Sequence, residues 1–180
     1  MLFFENVSEV LTNARRRAKT AVNITMVYAY YEIGRMIVEE EQHGANRATY
    51  GKQVLKELSA YLTKNFGKGY SADNLKLMRR FYIVYSKDQI EETVFPQFEN
   101  LPAVSTGCQF YLSWSHYLKL MRISNMDERH FYEIESVKND WSLKELQRQF
   151  DSALYERLAL STEKEEVYRL ALEGQKIESP

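Results

Sequence analysis

Apolar and small residues in the first quarter of the chain recur at intervals of three and four. This spacing joins Val7, Leu11, Ala14, Ala18, Ala21, Thr25, Tyr28 and Glu32. Because residues three and four apart share one face of an α-helix, the pattern predicts one long helix or two from Val7 to about Gln42. Gly34 is the weakest point of this stretch, since glycine inside a helix costs about 1 kcal/mol relative to alanine.

Two further apolar stripes predict a helical hairpin. The first helix runs over about 48–65, and the second runs over about 71–86. Gly67 and Gly69 mark the turn, and Ser71 is placed to cap the second helix. At 100° per residue, the apolar side of that second helix leaves Lys76, Arg79 and Arg80 pointing outward within one sector.

The charge is divided unevenly along the chain, although its formal net charge is only -1. Residues 1–90 hold 14 Lys and Arg against 9 Asp and Glu, whereas residues 91–180 hold 10 against 16. Most of the positive surplus lies between Gln42 and Ile90, on the predicted hairpin. A basic segment attracts polyanions through phosphate contacts, although solvated helix faces also carry such clusters.

The rest of the chain predicts a connection followed by more helices. Pro96, Pro102 and Gly107 indicate a connection over 91–112, with room for a short β element around 93–95. Ser113, Asp127 and Ser142 are placed to cap helices after it, and a last helix is predicted near Thr162. The predicted fold is therefore mainly α and multi-helical. It has a long N-terminal helix with a basic hairpin (1–90), the connection (91–112) and a C-terminal helical subdomain (113–180).

The hairpin is typical of a helix-turn-helix unit, in which one helix crosses the phosphates and the next enters the major groove. Ser71 and Asn74 lie where the backbone N–H groups of a helix N-terminus favour anions. An ordinary amphipathic hairpin with a solvated basic face gives the same pattern, so that interpretation stays open. The candidate nucleic-acid-binding residues are Lys52, Lys68, Ser71, Asn74, Lys76, Arg79 and Arg80.

The sequence offers no pattern for catalysis, a metal or a cofactor. Ser113 and His116 lie close together, but no G-x-S-x-G elbow accompanies them, and a capping serine explains the string more simply. Cys108 is the only cysteine, the three histidines fall on different predicted elements, and no nucleotide-binding glycine loop occurs. We therefore expect neither catalytic nor metal-binding residues, and no cofactor.

Several strings in chain order resemble the N-terminal domain of the YhcG-like family, bacterial proteins whose C-terminal part is a PD-(D/E)xK nuclease domain. The resemblance covers roughly residues 7–160. Its strings are Val22-Asn23, Tyr31-Glu32-Ile33-Gly34-Arg35, Tyr50-Gly51-Lys52, Phe66-Gly67-Lys68-Gly69-Tyr70-Ser71 with Asn74-Leu75, Met78-Arg79-Arg80-Phe81-Tyr82, Leu112-Ser113-Trp114-Ser115-His116-Tyr117, Phe131-Tyr132, Trp141-Ser142-Leu143 with Glu145-Leu146, and Leu154-Tyr155-Glu156-Arg157-Leu158.

The resemblance implies a helical domain that binds DNA through helix-turn-helix-like units and precedes a metal-dependent nuclease domain. A PD-(D/E)xK site needs a lysine two residues after an acid, next to carboxylates that hold metal. None of the lysines in this chain has an acidic residue two positions before it. We therefore expect this chain to lack the nuclease half and to cut nothing itself.

Two functions follow as hypotheses. The first is a non-catalytic nucleic-acid-binding accessory domain, for DNA in preference to RNA, that acts with a nuclease domain normally C-terminal to it in a restriction-like system. The alternative is a protein-interaction or oligomerisation module of a nuclease or of a restriction-like or toxin-like system. In that case the long first helix and the acidic half mediate self-association or toxin-like regulation. The absence of a signal peptide pattern and of an apolar stretch near 18 residues predicts a cytoplasmic protein without a membrane partner.

Overall fold

The computed structural model describes residues 2–43, 47–87 and 109–161. Within these ranges the chain is helical and contains no strand, which confirms a mainly α fold. The helices are α1 (Leu2–His43), α2 (Arg47–Phe66), α3 (Ala72–Lys87), α4 (Trp114–Leu120), α5 (Met126–Lys138), α6 (Leu143–Asp151) and α7 (Leu154–Leu160). The predicted β element around 93–95 and the predicted last helix near Thr162 lie outside the described residues.

The chain forms two compact units, Met1–Met121 and Arg122–Pro180. The first unit contains α1 to α4, and the second contains α5 to α7. Most of the predicted connection over 91–112 falls outside the described residues, so the three-part division of the chain stays a prediction.

The first helix is continuous through Gly34, and its buried face begins only after its first half. Val7 and Leu11 of the three-four stripe are exposed, as are all the residues from Phe3 to Val22 except the partly buried Asn13. The buried stripe starts only beyond them, with Ile24, Val27, Tyr31, Gly34 and Ile37. The three-four stripe is therefore exposed in the N-terminal half of α1, which we call the N-terminal arm (residues 3–22).

Gly34 lies where α1 and α3 cross, and the crossing needs a residue without a side chain. A Cβ atom at Gly34 would stand 2.8 Å from the backbone carbonyl carbon of Met78, nearer still to its oxygen, and 3.0 Å from Cβ of Tyr82. These distances are shorter than packed atoms tolerate. The glycine that the sequence marks as a weak point is thus the place of closest approach between two helices.

An aromatic cluster fills the interior of the first unit. Its centre is Phe81 of α3, which has no solvent-exposed surface. Ring centroids of five neighbours lie 4.9–5.7 Å from that of Phe81, within the range at which aromatic pairs attract. These neighbours are Tyr31, Tyr85, Phe110, Trp114 and Tyr117. The cluster thereby joins α1, α3 and α4 and fixes how α3 is presented.

The second unit is held by a buried tyrosine and by capped helices. The hydroxyl of Tyr132 donates to the carbonyl of Gln149 at 3.4 Å and accepts from the backbone N–H of Tyr155 at 3.2 Å. Burial raises the pKa of Tyr132, so its hydroxyl keeps the proton that it donates. Ser142 caps α6 by accepting from the backbone N–H of Glu145 at 3.2 Å, as its sequence position predicts.

Candidate nucleic-acid interface

The turn between α2 and α3 is fixed by its own side chains. Gly67 and Gly69 have φ angles of 84° and 121°, which residues with a Cβ rarely adopt. The Asn74 side-chain amide donates to the carbonyl of Gly69 at 2.9 Å, and Ser71 Oγ accepts from the backbone N–H of Asn74 at 3.3 Å. Ser71 is thus the cap that the sequence predicts, and both polar side chains support the turn.

Exposed lysines lie at this turn and farther along α2. Lys64 at the end of α2, Lys68 of the turn and Lys76 of α3 are exposed. Lys52 is also exposed, but it lies near the start of α2, about 20 Å from the turn at 1.5 Å per residue. Among the described residues no carboxylate pairs with Lys52, Lys64 or Lys68. A positive surface without internal counter-charges retains its attraction for phosphate groups.

Arg79 reaches across to the first helix. Its Nε donates to Oε2 of Glu41 on α1 at 2.5 Å, and their side chains are 40% and 18% exposed. Glu41 also lies against α2, because a Cβ added to Gly51 would stand 3.0 Å from Oε1 of Glu41. The ion pair therefore lies where three helices meet. No local sequence pattern indicates this pair, since Glu41 and Arg79 are 38 positions apart.

Arg80 is also bonded inside the first unit, although its side chain is exposed. Its Nη2 donates to the backbone carbonyl of Met121, at the end of α4, at 2.8 Å. The expectation that Lys76, Arg79 and Arg80 project together into water is therefore only partly met. The three lie on the outer side of α3, but the two arginines also hold α3 against its neighbours. Their role in binding stays a prediction.

Lys76 is exposed and has a local partner. Its Nζ lies 2.8 Å from Oδ1 of Asp73, with 61% of the Lys76 side chain exposed. The hydrogen bond from Lys76, and then its positive charge, hold the pKa of Asp73 below its ordinary value. Asp73 thus remains ionised at neutral pH and reduces the positive potential at the start of α3.

The serine and histidine of the fourth helix do meet, as neighbours at a helix start. Ser113 Oγ and His116 Nδ1 lie 2.7 Å apart, with Ser113 at the N-cap of α4 and His116 three residues later. A side chain at that third position commonly reaches back toward the cap residue. We therefore assign this contact to the helix end, in keeping with the sequence interpretation.

The described residues contain neither a metal-binding cluster nor a membrane-spanning helix. No group of three or more His, Cys, Asp or Glu side chains is arranged to hold a metal ion within the described ranges. Likewise, no helix in the described part of the chain combines the length and the apolar character needed to cross a membrane.

Comparisons with known proteins agree with the resemblance seen in the sequence. Residues 6–157 match the family model of the DUF1016 N-terminal domain. The chain is also 35% identical over 176 residues to the Escherichia coli (strain K12) protein named "Putative nuclease YhcG". That alignment covers 89% of this chain but 47% of the relative, so the chain spans about half of the relative's length. No solved structure matches.

Proposed function

This chain belongs to the DUF1016 N-terminal domain family, and we propose that it is a nucleic-acid-binding accessory domain that positions a nuclease. The nucleic acid is DNA in preference to RNA, and the nuclease domain is the part that normally follows in chain order. The domain itself is non-catalytic and acts in the bacterial cytoplasm, as part of a restriction-like system. The relative's name, which describes a nuclease, supports the connection with nucleic acid.

The observation that carries this proposal is the basic surface formed by the α2–α3 turn and the first turns of α3. Lys68 and Lys76 are exposed there, and Lys52 is exposed near the start of α2. The turn that carries Lys68 is held by Ser71 and Asn74, so the positive charges are presented from a fixed backbone. Arrangements of two helices and a tight turn are used to bind DNA in helix-turn-helix proteins.

The candidate residues form two groups: those whose side chains support the fold, and lysines whose side chains do not. Arg79 and Arg80 position α3 against α1 and the end of α4, so their replacement would alter the fold as well as the charge. Ser71 and Asn74 shape the turn. Lys52, Lys68 and Lys76 are exposed and hold no helices together, although Lys76 would exchange its local partner Asp73 for a phosphate group. The binding test therefore acts on the two lysines nearest the turn, Lys68 and Lys76.

The test is a charge reversal at the turn, Lys68→Glu with Lys76→Glu. We expect this double variant to bind double-stranded DNA at least about tenfold more weakly, because two phosphate contacts are lost and repulsion replaces them. The slope of log affinity against log salt concentration should also fall by about two. Fluorescence anisotropy of a labelled duplex, titrated at several salt concentrations, measures both quantities.

The matched control is Lys138→Glu with Lys144→Glu, two exposed lysines of the second unit. It changes the net charge by the same amount and should leave the DNA affinity within about twofold of the parent. Equal weakening by both pairs would mean that only net charge matters, which contradicts a binding surface at the α2–α3 turn. Binding that does not depend on salt would contradict phosphate recognition altogether.

A change of opposite sign is predicted for Asp73. Replacement by asparagine removes the negative charge beside Lys76 and should tighten DNA binding about twofold to fivefold at low salt. The control is Asp127→Asn, which removes an exposed carboxylate from the first turn of α5 in the second unit. The affinities of the Asp73→Asn and Asp127→Asn variants are measured on the same duplex and compared with that of the parent. If Asp73→Asn and the control have the same DNA affinity, the start of α3 does not approach the phosphates.

A further inference from the structure

The N-terminal arm of α1 is a helix whose apolar stripe is exposed. Phe3 and Phe4 are 71% and 77% exposed, and Val7, Val10 and Leu11 are exposed as well. A helix in water owes most of its stability to packing of its apolar face. Within the described residues the arm has no element packed on this stripe.

The stripe has the spacing of a coiled-coil seam. Intervals of three and four alternate without interruption through Phe4, Val7, Leu11, Ala14, Ala18, Ala21 and Thr25. A strict average of 3.5 residues keeps one seam facing a second helix, whereas packing inside a globular unit follows 3.6. The buried stripe that starts at Ile24 lies on a different set of positions. The arm and the body of α1 thus carry separate packing faces.

The order of side chains along the seam favours a second copy of this chain in the antiparallel direction. The large residues lie in the first half of the arm and the alanines lie in the second half. When two arms run in opposite directions, each large side chain meets an alanine: Phe4 meets Ala21, Val7 meets Ala18, and Leu11 meets Ala14. Layers that combine one large and one small residue keep a constant distance between helices, as close packing requires.

The charges of the arm favour the same direction. Glu5 and Glu9 occupy the first half, and the basic residues Arg15, Arg16, Arg17 and Lys19 occupy the second. In a parallel pair the basic segments of both copies would lie at the same height, with helix axes about 8–10 Å apart, within range of mutual repulsion. In an antiparallel pair each basic segment lies beside the half that carries the two glutamates.

The apolar area of two arms approaches what a stable pair needs. The four phenylalanine rings of two arms would remove on the order of 500 Å² from water. The valines, leucines and alanines of both copies bring the total toward the roughly 1,200 Å² at which specific interfaces begin. We propose that this chain forms a homodimer through antiparallel packing of its N-terminal arms, so that each dimer presents two basic α2–α3 surfaces.

The first experiment measures the mass of the full chain by sedimentation equilibrium at micromolar concentrations. We expect a dimer, and we expect Leu11→Glu to raise its dissociation constant by about tenfold or more, because a charge would be buried in the seam. The matched control is Thr12→Glu, which adds the same charge one position away, off the seam, and should leave the dimer intact. A monomer at all concentrations overturns the proposal, as does a dimer that Leu11→Glu leaves unchanged.

The second experiment determines the direction. Val7→Cys and Ala18→Cys are prepared as separate proteins, each with Cys108→Ser so that no other thiol is present. Antiparallel arms predict a disulfide only when the two proteins are mixed, because Val7 of one copy lies beside Ala18 of the other. Disulfide formation by the Val7→Cys protein alone would mean parallel arms and would overturn the arrangement. Neither experiment involves DNA, so the dimer can fail while the proposed function stands.

Discussion

Replacement of Phe81 by alanine is expected to lower the free energy of unfolding of the first unit by about 3–5 kcal/mol. Its ring is fully buried and is the one that Tyr31, Trp114 and Tyr117 share. Removal leaves a cavity among rigid rings that cannot close around it. Since domains are stabilised by only about 5–15 kcal/mol in total, this loss is a large part of the whole.

Urea denaturation followed by tryptophan fluorescence measures the effect of Phe81→Ala. Each unit holds one tryptophan, Trp114 in the first and Trp141 in the second, so a Trp141→Phe background reports on the first unit alone. The control is Phe66→Ala, because Phe66 is mostly exposed at the end of α2 and should cost less than about 1 kcal/mol. Similar losses for both variants would contradict a central place for Phe81.

Replacement of Gly34 by alanine is expected to destabilise the first unit by about 2 kcal/mol or more, the reverse of its usual effect. In an open helix this change is stabilising by about 1 kcal/mol, because alanine has the higher helix propensity. At Gly34 the added methyl group would collide with the backbone of Met78. Backbone atoms of a packed helix cannot move aside singly, so α1 and α3 must separate.

The same substitution at Gly51 provides the comparison. Gly51 is also buried in a helix, but an added Cβ would meet only the side-chain carboxylate of Glu41, at 3.0 Å. A flexible side chain can shift by a few tenths of an ångström, so Gly51→Ala should stay within about 1 kcal/mol of the parent. Urea denaturation of both variants distinguishes the sites. Stabilisation by Gly34→Ala would show that the two helices do not cross as closely as described.

Local signals in the sequence predicted the helices well. The caps at Ser71 and Ser142 and the glycines of the α2–α3 turn depend on residues within a few positions of one another, and they form as predicted. The predicted cap at Asp127 is wrong, because Asn125 caps α5, and Ser113 occupies the N-cap of α4 without a side-chain capping bond. Such features follow from backbone geometry, which a short stretch of sequence determines. The mainly α fold follows from the same local signals.

The sequence does not predict contacts between residues that are far apart in the chain. The three-four spacing indicates an apolar seam along the arm of α1. It does not indicate whether that seam packs inside the same chain or against a second molecule. It likewise placed Arg79 and Arg80 on the outer side of α3 without revealing Glu41 or the carbonyl of Met121. These contacts depend on how helices cross, and no short pattern encodes a crossing.

The position of Phe110 gives the aromatic cluster one further consequence. Tyr85, near the end of α3, and Phe110, which precedes α4, have ring centroids 5.9 Å apart. The backbone N–H of Phe110 also donates to the hydroxyl of Tyr28 on α1 at 3.1 Å. The chain is thus tied to both α1 and α3 before α4 begins, so the start of α4 is placed by contacts with two earlier helices.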